Sequence, residues 1–455
     1  MKLFDDTIIG ISTALSKGAI SIIRLSGDDA IKIVNKVFKG IDLSKVEPNT
    51  INYGHIVDSE SCQIIDEVLV SIFKAPKSYT KEDVVEINCH GGLFVTNKIY
   101  EQLVLLGARP SEPGEFTKRA FLSGRIDLTK AEAVMDVINA ENNAALKIAN
   151  SALNGKISTF VDQKRQELLD IIATISVNID YPEYDDVEQL TNEDILPKLK
   201  TIKLELEDVL NNAKSAKLLK NGINTVIVGK PNVGKSSLLN TLIGENKAIV
   251  TNIPGTTRDI VEASINLGQV TLNLIDTAGI RITEDVVEKI GVEKSKEQIN
   301  KADIILCVLD GSEPINEQDK EILNEIKNKC HLTIINKIDL EQKINLGEVD
   351  DNVLFISTKN NNTIKELENK ILETLNLNNL FNKDITYISN ARQLEKINFA
   401  IKALDEALTT IENEATIDFV DIDIRKAWLY LGEIVGQTST DNLLDELFSK
   451  FCLGK

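Results

Sequence analysis

Gly229–Ser237, GKPNVGKSS, is the stretch on which the reading of this chain turns. It follows the apolar run Ile223–Val228, which predicts a buried strand, and precedes Leu238–Ile243, whose apolar content continues the loop into a helix. Strand, glycine-bearing loop and helix N-terminus together make an anion cradle, because free backbone N–H groups and the helix dipole both favour a phosphate there. In that arrangement Lys235 reaches the β- and γ-phosphates and the Ser236 hydroxyl binds Mg²⁺. Asn232, Val233, Gly234 and Ser237 supply the rest of the cradle.

Outward from this loop, later segments choose the nucleotide. Leu272–Gly279, LNLIDTAG, reads as a buried strand ending in Asp276, placed for the metal shell. Thr277, Ala278 and Gly279 follow, the glycine able to meet a γ-phosphate. Ile334–Asp339, IINKID, is another strand running into a polar loop. The Asp339 carboxylate accepts from guanine N1–H and N2–H₂ together, a donor pair adenine lacks, while Asn336 and Lys337 brace base and loop. Ser357, Thr358 and Lys359 close the set after the strand Val353–Ile356. The order and spacing are those of a guanine-nucleotide domain, with GTP as the nucleotide.

Hydrolysis needs a positioned water and a cation at the transition state. After DTAG, where many small GTPases carry a water-orienting Gln, stands Ile280, which cannot hold a water. The acidic run Glu284–Glu288 offers Glu288 as the positioning group, with Glu284 as its competitor. Asn232 and the segment Thr251–Thr257, TNIPGTT, form an oxygen-lined cavity suited to K⁺, and Thr257 completes the Mg²⁺ shell. Arg258 and Arg281, as arginine fingers, are the rival source of positive charge.

The remainder predicts a multidomain α/β plus all-α protein. At 455 residues, two or three domains are expected. A content of 42% hydrophobic and 27% charged residues is that of a globular protein, no apolar run reaches the length of a membrane span, and the N-terminus lacks a signal-peptide pattern. Five scattered cysteines with no CxxC argue for a reducing, cytoplasmic setting and against a disulfide frame or zinc site. A net charge of −19 makes any RNA contact local or partner-dependent.

Residues 1 to 118 read as an α+β domain, with strands at Thr7–Ser12, Ile20–Leu25, Val68–Ile72 and Val84–Cys89 and helices at Asp28–Phe38 and Leu93–Leu106. From 119 to 220 the pattern is helical: a helix opened by a Thr129/Glu132 capping box and running to about Leu153, then Ile157–Ile179 and Ile195–Lys217. Residues 221–378 are the nucleotide domain, and helical spacing returns at 379–455 (Leu394, Ile397, Ile401, Leu404, Leu408, Ile411). That stripe needs partners, and the nearest unmatched ones precede residue 220, so the nucleotide domain is read as inserted into a discontinuous helical bundle.

The chain resembles the family of bacterial tRNA-modification GTPases called MnmE or TrmE, over essentially its whole length. The likeness rests on GTTRD (255–259), PKSYTKEDVVE (76–86), PGEFTKRAFL (113–122) and FCLGK (451–455). It implies an N-terminal tetrahydrofolate-binding domain that dimerises, a discontinuous helical domain and an inserted Ras-like P-loop G domain. It also implies partnership with the FAD-dependent protein MnmG in a heterotetramer. Together these add an aminomethyl or carboxymethylaminomethyl group at C5 of the wobble uridine (position 34) of certain tRNAs, with 5,10-methylenetetrahydrofolate as donor and 5-formyltetrahydrofolate as its analogue. By motif, the resemblance assigns folate contacts to Arg24, Glu86, Arg125 and Lys455. It assigns K⁺ ligands to Asn232, Thr251, Ile253 and Thr256, Mg²⁺ ligands to Ser236 and Thr257, catalysis to Glu288, and a role in the modification to Cys452. Departures are the turn Ala14–Ala19, Thr358 where Ala is usual, and Leu453 where Ile is common. The alternative is a ribosome-assembly GTPase similar to Era or EngA, which would carry a basic RNA-binding domain or a second G domain.

Overall fold

The computed structural model describes residues 4–180, 192–245, 261–275, 298–349, 351–358, 363–377, 388–413, 416–437, 441–451 and 454. The chain divides into two compact units, Met1–Met135 with Leu431–Lys455, and Asp136–Tyr430.

Alternating apolar residues build the sheet of the first unit. Its strands are β1 (Ile8–Ile11), β2 (Ile20–Ser26), β3 (Phe38–Lys39), β4 (Thr50–Val57), β5 (Ile64–Phe73), β6 (Val84–His90) and β7 (Arg109–Pro110), in the order β3-β4-β5-β6-β2-β1-β7. Ile23, Leu25, Val70, Ile72, Val85 and Ile87 face the core. Covering them are α1 (Ala30–Asn35) and α2 (Leu93–Leu105), and Gly107 at φ +114° ends the latter. The helix expected over Asp28–Phe38 is shorter, because Phe38 leaves it to pair with Ile56 of β4. Strand β4 inverts the usual pattern, with Ile51 and Tyr53 exposed while Gly54 lies on the inner face. A side chain at Gly54 would meet the Lys39 carbonyl at 2.5 Å.

The same unit holds α3 (Glu115–Leu122), the start of α4 (Leu128–Ile138), and a helix at Asp441–Ser449. Phe448 and Phe451 close an apolar cluster with Leu128, Ala131 and Leu444. Beneath α3 lies an ionic network centred on the buried Arg119. Arg119, 1% exposed, meets Asp6 at 2.6 Å, Glu82 at 3.0 Å and Glu115 at 3.1 Å, while Arg109 bonds Asp6 and Glu115. Burial pushes the Glu115 and Asp6 carboxyls up, but the bonds from Arg109 and Arg119 outweigh it and hold both below their ordinary values.

The second unit contains a six-stranded sheet in the order β13-β12-β11-β8-β10-β9. Its strands are β8 (Ile223–Val228), β9 (Val261–Leu267), β10 (Val270–Ile275), β11 (Ile304–Asp310), β12 (His331–Asn336) and β13 (Val353–Phe355), all parallel except for the β9–β10 hairpin. Central strand β11, IILCVLD, is buried at every residue, as a parallel strand covered on both faces must be. Helices flank the sheet, α5 (Asn143–Leu153), α7 (Asn192–Asn221) and α8 (Lys235–Glu245) among them. The long α6 (Lys156–Asp180) and the later helices Thr363–Thr374, Ala391–Glu412 and most of Ile417–Val435 belong to the same unit.

The single helix expected from Thr129 to Leu153 is two, α4 and α5, because Asn142 caps a new start. Thr129 lies inside α4 and is not its cap: Asp127 accepts from Lys130 N at 3.0 Å. On α6, Leu168, Ile172 and Ile175 are buried, but Ile179, expected on the same face, is 41% exposed. Ile397, Ile401, Leu404, Leu408 and Ile411 are buried on Ala391–Glu412, which packs on α7 through its Leu199–Ala213 stripe. A Lys203–Asp405 ion pair at 2.5 Å borders that seam.

Candidate functional site

The strand β8 delivers the loop Gly229–Gly234 to the first turn of α8, so Lys235, Ser236 and Ser237 open a helix whose free N–H groups face the loop. Gly229 has φ +148° and Gly234 φ +104°, and Asn232 adopts φ +65°. Glycine is required at two of these positions: a Cβ at Gly229 would lie 2.3 Å from the Val308 carbonyl of β11, and one at Gly234 2.1 Å from Asn336 Nδ2. Lys235 Nζ donates to the Gly229 and Lys230 carbonyls, each at 2.7 Å, and burial holds its pKa below the usual lysine value. Val233 is fully buried and anchors the loop in the core.

The segment Asn336–Asp339, assigned to the base, is fastened to the loop Gly229–Gly234, assigned to the phosphates. Asn336, 1% exposed at the end of β12, donates from Nδ2 to the Val233 carbonyl at 3.0 Å, so the base loop and the phosphate loop share one bond. Lys337, at φ +64°, reaches Asp310 Oδ2 at 2.5 Å. Burial raises the Asp310 carboxyl, but bonds from Lys337 and Ser312 outweigh it and hold the group below its ordinary value. Ser357 donates to Asp339 Oδ1 at 2.9 Å, orienting the carboxylate assigned to guanine. The Thr358 carbonyl accepts from Thr241 of α8 at 3.4 Å.

Sequence reasoning missed two supports of this site. Lys230 does not turn to the phosphate position; it pairs with Asp319 at 3.1 Å and Glu313 at 3.2 Å. Asp319 also completes the capping box of Glu317–Ile326 with Asn316, so the phosphate loop is tied to that helix start. Asp310, the other support, ends a strand that reads as wholly apolar until its last residue. Thr251, Ile253, Thr256, Thr257, Asp276, Thr277, Ala278, Gly279, Glu288, Lys359, Cys452 and Lys455 lie outside the described residues. So do Arg258, Arg281 and Glu284.

In the first unit, adjacent strands bring together Arg24 and Glu86, which stand opposite each other in the β2–β6 register. Arg24 Nε and Nη2 meet Glu86 Oε1 at 2.8 and 2.7 Å, and Nη1 lies 3.5 Å from the Gly454 carbonyl. That carbonyl also accepts from Ser12 Oγ at 3.1 Å, which seats Gly454 on β1. There a side chain at Gly10 would strike the Gly454 Cα at 2.9 Å. Aromatic walls flank the pair: Phe116 and Tyr79 lie 5.6 and 5.9 Å from the Arg24 guanidinium, and Arg125 lies 4.8 Å from the same Tyr79 ring. The structure therefore gathers Arg24 and Arg125 around Tyr79, with Glu86 and Gly454 against Arg24.

A parallel sheet whose first strand feeds a phosphate cradle, braced by an Asn-Lys-x-Asp loop, defines a P-loop guanine-nucleotide-binding protein. Comparison with known proteins places it further. Residues 7–125 match the N-terminal domain described as GTP-binding protein TrmE N-terminus, and residues 128–452 match the MnmE helical domain. A Bacillus cytotoxicus protein called tRNA modification GTPase MnmE is 49% identical over 455 residues, covering 99% of each chain. One of the same name from Streptococcus thermophilus is 51% identical over 451 residues, 99% of this chain and 98% of its own. Among solved structures, the FeoB G-domain from Methanococcus jannaschii is 19% identical, covering 34% of this chain and 98% of its own at a TM-score of 0.25, which adds nothing to the assignment. The chain belongs to the MnmE (TrmE) family of tRNA-modification GTPases, and is a GTP hydrolase. Membership over the full length replaces the ribosome-assembly alternative. Among the described residues, no helix is long and apolar enough to cross a membrane.

Proposed function

We propose that this GTPase works in the cytoplasm as a homodimer with the FAD protein MnmG to modify C5 of the wobble uridine of certain tRNAs. Its one-carbon unit comes from 5,10-methylenetetrahydrofolate. The observation that carries the reading is the Arg24–Glu86 pair, walled by Tyr79 and Phe116 and touched by Gly454, in the chain that also carries the guanine site. The chemistry fits a reduced folate: a carboxylate accepts from the pterin N–H donors, aromatic rings cover its faces, and Arg24, Arg125 and Lys455 suit its carboxylate tail. The bound folate supplies the one-carbon unit; the residues of this chain bind and orient it. Cys452, two residues before Gly454, is the thiol assigned to the modification step, and C452S should lose modification while keeping GTP turnover.

At the nucleotide site, Asn232 to Ser237 hold the phosphates, Asp339 reads guanine with Asn336 and Lys337, and Ser357 orients Asp339. Thr251, Thr256, Thr257, Asp276–Gly279, Thr358 and Lys359 complete the GTP contacts. Ser236 and Thr257 would hold Mg²⁺, which neutralises phosphate charge. The carbonyl-rich segment with Thr251, Ile253 and Thr256 would join Asn232 around K⁺, which supplies the positive charge an arginine finger provides elsewhere. Glu288 positions the attacking water.

Calorimetric titration with 5-formyltetrahydrofolate tests the folate reading. Wild type should bind and E86Q should lose at least about tenfold in affinity, the cost of an unmatched donor pair. Absence of binding by the wild-type protein would remove folate from the account. Equal GTP turnover in Na⁺ and K⁺ would remove the monovalent cation.

A further inference from the structure

Asn142 joins three elements. It is 6% exposed, and its side-chain oxygen accepts from Ala145 N at 2.7 Å, capping α5. Its Nδ2 donates to the Leu219 carbonyl in the last turn of α7 at 3.1 Å and to Thr271 Oγ1 of β10 at 3.0 Å. Neighbouring amides repeat the pattern: Asn266 of β9 donates to the Glu141 carbonyl at 2.6 Å, and Asn273 of β10 to the Asn221 carbonyl at 3.0 Å. Below them one apolar cluster joins Ala144, Ile148 and Leu219 of the helices to Ile265, Leu267 and Leu272 of the hairpin.

None of these bonds belongs to the sheet ladder, and a guanine site does not need them. What they fasten is the β9–β10 hairpin, which in sequence separates TNIPGTT from DTAG, the two stretches assigned to the γ-phosphate and its metals. Ile275, the last residue of β10, is followed directly by Asp276. Helix α7 in turn carries the seam with Ala391–Glu412. A hairpin stitched to α5 and α7 through the buried Asn142, the half-buried Asn266 and Asn273 and a shared apolar cluster shifts only if those helices shift with it, because a close-packed core does not deform continuously.

We propose that Asn142 is a positioning residue that couples the nucleotide state of the β9–β10 hairpin to the helical frame through α5 and α7. The proposal rests on the GTPase reading and goes beyond it in naming the mechanical link. N142S keeps a hydroxyl to cap α5 but is too short for the other two bonds. T271V, near in shape, removes the hairpin's end of the tie and leaves the cap alone.

Full-length protein is compared by amide hydrogen exchange, nucleotide-free and with a non-hydrolysable GTP analogue, with GDP affinity measured in the same samples. In wild type, exchange in Asn143–Leu153 should differ between the two states by about tenfold, within the usual range of coupling between sites. In both variants that difference should fall below about twofold while GDP affinity stays within about threefold of wild type. A merely structural role would instead raise exchange equally in both states, and that result overturns the proposal. So does a state dependence that survives in both variants, or one that is missing from nucleotide-binding wild type. Failure of wild type to bind nucleotide would overturn the GTPase reading itself, and the link with it.

Discussion

Replacing Gly234 with alanine probes how the two halves of the nucleotide site hold each other. The new Cβ would sit 2.1 Å from Asn336 Nδ2, at a backbone φ of +104°. The strained backbone costs about 1–3 kcal/mol. Ordinary contact needs roughly 3.5 Å, so Nδ2 must retreat by more than an ångström. Its bond to the Val233 carbonyl is only 3.0 Å long and cannot survive that. Leaving a buried carbonyl unpaired adds about 1–3 kcal/mol. The empty loop relaxes away from this strain and the nucleotide-bound loop does not, so even the low end of the sum, about 2 kcal/mol, falls on binding and weakens GDP affinity by roughly 30-fold. Since part of the cost arrives through Asn336, N336A should absorb it. The double variant G234A/N336A should therefore lose about 1–3 kcal/mol less than the two single losses added together. Isothermal titration of GDP into the four proteins measures this. G234A binding within about threefold of wild type, or a strictly additive cycle, would refute the claim that the base loop braces the phosphate loop.

Other consequences follow from the packing. R119M leaves Glu82 and Glu115 beside an uncharged side chain while Arg109 still pairs with Glu115 and the partly exposed Asp6, and the lost charged hydrogen bonds should cost about 1–3 kcal/mol in the urea transition read from amide exchange of α3. Glu115 and Asp6 are held below their ordinary values of 4.5 and 3.8, so the unfolded state takes up protons first on acidification. Their stabilisation is fully present above pH 4.5 and is lost as pH falls further through the folded values; a melting temperature of the first unit insensitive to pH below 4.5 would contradict this. L206A opens a cavity in the α7 seam and should cost about 2–5 kcal/mol while GDP still binds, read by fluorescence of the single tryptophan, Trp428, stacked 4.1 Å from Arg165.

The strand, loop and helix around Gly229–Ser237 were legible because their pattern is local. A strand, a glycine loop and a helix start occupy consecutive residues, so Ile223–Val228 and Gly229–Ser237 could be read directly. Asn336, Lys337 and Asp339 were equally plain, but their bonds to Val233, Asp310 and Ser357 were not, since each joins segments well separated in sequence. Boundaries failed where two explanations shared one pattern. Burial of Val34, Val37 and Phe38 suits a helix as well as a helix followed by an edge strand. Thr129 and Glu132 have capping-box spacing while the true cap, Asp127, stands two residues earlier. Strand β4 hid because its inner face carries Gly54 and its outer face Ile51 and Tyr53, the reverse of amphipathic expectation. Arg24 and Glu86 were reached only through resemblance, because a pairing across two strands 62 residues apart leaves no periodic trace.

The most direct test is nucleoside analysis, by mass spectrometry, of tRNA from cells lacking this protein. Those cells should show wobble uridines without the C5 aminomethyl-type group, restored by the wild-type gene and not by a K235A or E86Q copy. Wobble uridines that stay fully modified in its absence would contradict the union of GTP hydrolysis and one-carbon chemistry in this chain.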